Sequence, residues 1–240
     1  MKVLIVMTSL LLLSGCATDG QAPWTSLLSP SSCSKLTSEQ ELSLNLADDL
    51  ASDGKLHASL ANLQSLPDNL SEVRLRKAKV YRQLGRSEAE PLYRSLLGGC
   101  LTAQAEHGLG QVYAARGDHG QAQAHLQRAA RLAPTDEKIR NDLGVVYLNQ
   151  LRLNEAKFEF LTAIELSQNN QLATLNMVTL LLYQNDWPQA AEIVSRSKLT
   201  PEQFTEAQQR AEKLKAPASA KTPSGDRVAA FIDPLPPTLE

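Results

Sequence analysis

The chain has 240 residues, with 24 Lys and Arg set against 26 Asp and Glu, a formal charge of -2. A balance this even excludes the strong positive field that selects nucleic acid. Aromatic residues make up only 5%, and an abundance of Ala, Leu and Gln suits close helix packing better than a β-sandwich.

The N-terminus opens with Lys2, an apolar run, and then Leu13-Ser14-Gly15-Cys16. A basic residue, an apolar stretch of signal-peptide length and two small residues before a cysteine resemble a bacterial lipoprotein export signal. The other readings are an ordinary secretory signal with a chance cysteine, or a membrane anchor, for which the run is too short. The resemblance implies removal of residues 1–15 and acylation of Cys16, palmitate included, with the remainder outside the cytoplasm. In such lipoproteins an aspartate directly after the cysteine holds the protein in the inner membrane. Ala17 stands there instead, which implies an anchor on the periplasmic face of the outer membrane. Residues 16–36, rich in Ser, Thr and Pro after the lipidated cysteine, read as a flexible tether.

The body of the chain is periodic. Leu109-Gly110-x-x-Tyr113 recurs as Leu143-Gly144-x-x-Tyr147, and the same offset of 34 carries Ala122, Leu126 and Ala129 onto Ala156, Phe160 and Ala163. Each copy reads as a helical hairpin whose small residues let two helices approach, with the large residues filling the core. A weaker third copy runs through Met177, Val178, Leu181, Ala190 and Val194. Upstream, Ala78, Tyr81, Gly85, Ala89 and Tyr93 fit a further hairpin, and Ala47, Leu50, Gly54 and Ala58 a degenerate first one. Thr37-Ser38-Glu39-Gln40 and Thr200-Pro201-Glu202-Gln203 read as capping boxes, the second opening a final helix to about Lys215. The period and the small–large spacing resemble the tetratricopeptide repeat. The fold that this implies is all-α, a superhelix of about five hairpins plus a C-terminal capping helix, spanning 37–215. Glu106 and Arg140 stand where that family often carries a large aromatic. The Pro-rich segment 216–240 reads as disordered.

With Cys16 lipidated, Cys33 and Cys100 remain. An even pair in an oxidising compartment is a disulfide candidate. The alternative is two separate thiols, with Cys100 buried. No catalytic set emerges. His57, His107, His119 and His125 lack carboxylates or cysteines at metal-ligand spacing, and His119 and His125 read as surface residues. Gly108-x-Gly110 lacks the rest of a dinucleotide fingerprint, and Arg74, Arg76, Lys77, Lys79 and Arg82 wrap round one helix like a solvated face. No metal, cofactor or enzymatic activity is expected.

One segment departs from the pattern. Leu172 to Tyr183 is apolar nearly all round, whereas the first helix of a repeat should have one wetted face. The repeat alignment turns Leu172, Leu175, Leu182 and Tyr183 toward the groove, with Val145 and Leu148 at equivalent places. An exposed apolar strip there would be a partner-binding groove. The competing reading is coverage by the chain itself, with Phe231, Ile232 and Leu235 of the tail as the candidate cover.

The anchor signal, the hairpin array and Arg140-Asn141-Asp142-Leu143-Gly144-Val145-Val146-Tyr147 with Asn154-Glu155-Ala156 together resemble the TadD family, tetratricopeptide lipoproteins of the tight-adherence (Flp) pilus system. The resemblance implies a pilotin that brings secretin subunits to the outer membrane. Rival readings are a type IV pilus pilotin and an adaptor for periplasmic peptidoglycan hydrolases or proteases.

Overall fold

The computed structural model describes residues 33–167 and 171–216, and every element among them is helical. The lipoprotein signal, Cys16, the tether as far as residue 32, and the tail from residue 217 with Phe231, Ile232 and Leu235 lie outside the described residues. Eleven helices follow in order: α1 Ser38–Ser52, α2 Leu56–Gln64, α3 Ser71–Gln83, α4 Ala89–Arg94, α5 Thr102–Ala115, α6 His119–Leu132, α7 Glu137–Asn149, α8 Leu153–Leu166, α9 Gln171–Tyr183, α10 Trp187–Ser197 and α11 Pro201–Lys215. They pair as five hairpins from α1/α2 to α9/α10, with α11 left over.

Local chemistry sets the boundaries. Thr37 caps α1 and Thr200 caps α11 with reciprocal boxes to Gln40 and Gln203, which satisfies amide groups left open at a helix start. Asp118, Asp136 and Asp186 cap α6, α7 and α10 in the same sense through one side-chain oxygen. Pro201 occupies the first turn of α11, where its missing amide hydrogen costs nothing.

The repeat glycines mark contacts too close for a side chain. A Cβ on Gly110 would sit 2.5 Å from Leu126 Cγ, and one on Gly144 2.6 Å from the Phe160 ring. Leu126 and Phe160 are the fully buried large residues of their second helices. Gly108 belongs to the same device: a Cβ there would overlap the ring of Tyr93, which α4 buries against α5.

Two sequence expectations change. His125 is buried, its Nδ1 lying 2.6 Å from Glu106 Oε2 and its ring stacked on Tyr113. Its helix face turns toward α5 and not to solvent. Two basic residues of α3 are held as well: Lys77 is buried and ion-paired with Asp68, and Arg76 reaches Asp48 at 2.9 Å. Pairing with the first hairpin and the α2–α3 turn satisfies these two, while Lys79 is exposed. The structure also joins Cys33 to Cys100, with the Cα atoms 5.2 Å apart. The bridge ties the segment before α1 to the turn between α4 and α5.

Candidate partner-binding site

The six residues expected to line an open groove do not form one. Val145, Leu148, Leu175 and Leu182 are buried, and Tyr183 packs against the same core. Leu172 is half-buried at the start of α9 and stands outside that core cluster. For the buried residues of α9 the physical reason is α11. It packs principally on α9 and makes little contact with α10, so the final helix lies over the face that the repeat pattern would leave wet. Phe204, Ala207, Ala211 and Leu214 of α11 join Leu175, Leu182 and Leu199 in one core. The all-round apolar character of α9 is thereby explained: each side of it meets another helix.

Beneath α11 runs a polar ladder that no apolar pattern reveals. On α5, His107 Nε2 lies 2.6 Å from Asp142 Oδ2 and the Gln111 amide donates to the same oxygen at 2.8 Å. On α7, the Asn141 amide donates to Asp142 Oδ1 at 3.3 Å. From α9, Asn176 Nδ2 donates to Asn141 Oδ1 at 2.9 Å. From α11, Arg210 Nη1 donates to Asn176 Oδ1 at 3.2 Å, and Arg210 is ion-paired in turn with Glu206. Four alternate helices, α5, α7, α9 and α11, are linked this way, and Asn141, Asp142, Asn176 and Arg210 are all buried. A satisfied chain of this kind fixes register between helices, because slipping any one would strand a buried polar group.

α11 thus sits on α9 through small apolar residues and a buried arginine. Lys215 adds Nζ bonds to Leu182 O at 3.0 Å and Asn185 Oδ1 at 2.6 Å. What the arrangement does chemically is hold a helix. Apolar side chains still open include Leu42 and Leu46 of α1, Phe158 and Leu161 of α8, and Trp187 at the start of α10. No described helix is long and apolar enough to cross a membrane.

Residues 103–136 and 137–170 match the tetratricopeptide repeat family, two units in the register of α5/α6 and α7/α8. A curated relative, "TPR repeat-containing protein PA4299" of Pseudomonas aeruginosa PAO1, is 38% identical over 221 residues, covering 90% of this chain and 86% of its own. This chain is a tetratricopeptide-repeat protein. Solved tetratricopeptide structures share the fold at low identity. Pseudomonas aeruginosa pilF superposes with a TM-score of 0.58 at 16% identity, over 72% of this chain and 87% of the other. TTC0263, a thermophilic TPR protein of Thermus thermophilus, gives 0.55 at 17% identity over 73% and 98%.

Proposed function

We propose that this tetratricopeptide-repeat protein is a lipid-anchored adaptor that holds a helical segment of a protein partner at the outer membrane, and that the partner is a secretin subunit of a tight-adherence pilus machine, the pilotin role. The repeat family supports a protein-binding scaffold. The Leu13-Ser14-Gly15-Cys16 signal supports the anchor. The observation that carries the helical ligand is the seat of α11 on α9, a surface whose apolar contacts and polar ladder already accept a helix. Its occupant, α11, buries Ala207, Arg210 and Ala211 and packs Phe204 and Leu214 against the same core.

Cross-linking in cells, followed by purification of the lipidated protein from outer membranes, tests the reading. Capture of a secretin supports it, and capture of a cell-wall hydrolase or protease moves the adaptor to a different envelope pathway. Arg210→Ala removes the bond from α11 to Asn176 and raises capture if the partner competes for α9. Unchanged capture moves the docking surface to Phe158, Leu161 and Trp187. A Cys16→Ser chain that still fractionates with membranes removes the anchor from the proposal, since stable attachment needs the acyl chains.

A further inference from the structure

Three chemically distinctive side chains from three separate segments meet at one point. Cys33 precedes α1 in a non-helical stretch, Cys100 lies in the turn between α4 and α5, and Glu72 stands in the first turn of α3. Their ligand atoms, two sulfurs and one carboxylate oxygen, all lie within 4.8 Å of one another. Oε2 of Glu72 is buried without a hydrogen-bond partner. A buried carboxylate oxygen with no donor leaves its lost hydration uncompensated, and a cation is the kind of ligand that compensates it. The N-cap of α3, Leu70, offers no side chain to that end.

We propose that Cys33, Cys100 and Glu72 form a redox-gated zinc site. Oxidised, the two sulfurs are bonded to each other and have no thiolate charge to offer a metal. Reduced, they supply two thiolates, and Glu72 supplies a carboxylate. Zinc takes such mixed sets at about 2.3 Å to sulfur and about 2.0–2.2 Å to oxygen, so on reduction the two sulfurs must part from bonding distance to share one ion, while the Glu72 oxygen already lies within 4.8 Å of both. Cys33 lies outside any helix and can withdraw as the bridge opens, leaving a fourth position to water. Thiolate ligands disfavour magnesium and calcium and select zinc among the common divalent ions.

The step balances. A dithiol reductant passes two electrons and two protons to the sulfur–sulfur bond and closes to its own disulfide. Zn²⁺ then displaces the two thiol protons as it binds. A disulfide oxidant reverses this by thiol–disulfide exchange: it takes the two electrons and is left as two thiols, the bridge reforms, and the metal loses its two thiolates and leaves. The segment that leads toward Cys16 is therefore tied to the α4–α5 turn in either state, by a covalent bond or by an ion.

Titration of the full-length protein with Co²⁺, then Zn²⁺, tests this. The protein is reduced with a dithiol, freed of it without air, and its helicity followed by circular dichroism. The reduced chain is expected to develop thiolate-to-cobalt charge-transfer absorption at one ion per chain, lost on adding Zn²⁺, while the oxidised chain shows none. Glu72→Gln should weaken Co²⁺ binding by about tenfold or more, and Cys33→Ser should abolish the band. A reduced chain that loses helicity and regains it with Zn²⁺ also supports the site. A helical reduced chain without the band, an affinity indifferent to Glu72→Gln, or lost helicity that Zn²⁺ does not restore overturns it.

Discussion

Glu106 and Arg140 occupy the same place in consecutive repeats with opposite charge, each bonded to the second helix of its own hairpin. Glu106 meets His125 at 2.6 Å and Arg140 meets Glu159 at 3.1 Å. Both partners lie 19 positions downstream on the second helix of the hairpin. A polar pair thus fills a position where the family often places one aromatic, and the two hairpins solve it with opposite signs. Burial pushes the Glu159 carboxyl up, with Arg140 opposing. Arg140→Glu alone sets two carboxylates against each other and is expected to cost about 3 kcal/mol or more. Adding Glu159→Arg should restore most of that loss. A double-mutant cycle on urea midpoints measures the coupling. If the double variant is no better than the single, pairing is not what holds this position.

The glycines of the array are not equivalent. Gly108→Ala drives a methyl group into the Tyr93 ring, which is buried and has no room to move. It should destabilise by about 1–3 kcal/mol despite the better helix propensity of alanine. At Gly120 an added Cβ meets only Asp118 Oδ1, at an ordinary 3.6 Å. Gly120→Ala should therefore stabilise, by about 0.5 kcal/mol. Thermal unfolding of the two variants decides the matter, and the same sign in both would refute it.

Glu90 latches the second hairpin to the third. Arg116 and Tyr113 bond to its carboxylate, Arg94 reaches it from its own helix, and together they hold its pKa down to about 2. A carboxyl with a depressed folded pKa stabilises above its ordinary value near 4.5. That contribution is lost as pH falls from there toward 2. Stability against urea should fall across this window, and Glu90→Gln should flatten the acid limb while costing about 1–2 kcal/mol at neutral pH. An acid limb unchanged in the variant would mean other carboxylates set it.

Much of this is legible in the letters, because the repeat period is a packing constraint. Gly110 against Leu126 and Gly144 against Phe160 are readable as a small residue facing a large one 16 positions on. The caps at Thr37 and Thr200 are equally local. The polar ladder escapes an apolar search, yet Asp142, Asn176 and Arg210 follow the same 34-residue spacing. Applying the register to buried polar positions exposes it. The coverage of α9 is not readable, because α11 keeps the sequence register of a next first helix but rests on α9 more than on α10. The repeat pattern specifies which residues are apolar, and not which neighbour covers them. The burial of His125 escapes the sequence for a related reason: its partner Glu106 sits on the facing helix, beyond any sequence window.

The last prediction concerns the strip on α9. Leu175 is fully buried and Leu182 nearly so, both within the core that α11 closes. An aspartate at either place would put an unpaired carboxylate among Phe204, Ala207 and Leu214. Loss of the leucine packing alone costs about 2–5 kcal/mol, and the buried charge adds to it. Leu175→Asp and Leu182→Asp are therefore expected to unfold the C-terminal hairpin with α11, not to spare the fold while losing a partner. Phe158→Asp, on the open face of α8, should stay within about 0.5 kcal/mol of the parent. Removing residues 217–240 should also leave stability unchanged, since α11 already covers α9. Helix content and melting temperature by circular dichroism test all four variants together. Fully helical, unshifted aspartate variants at 175 and 182 would show that α11 does not seal α9 in the free protein.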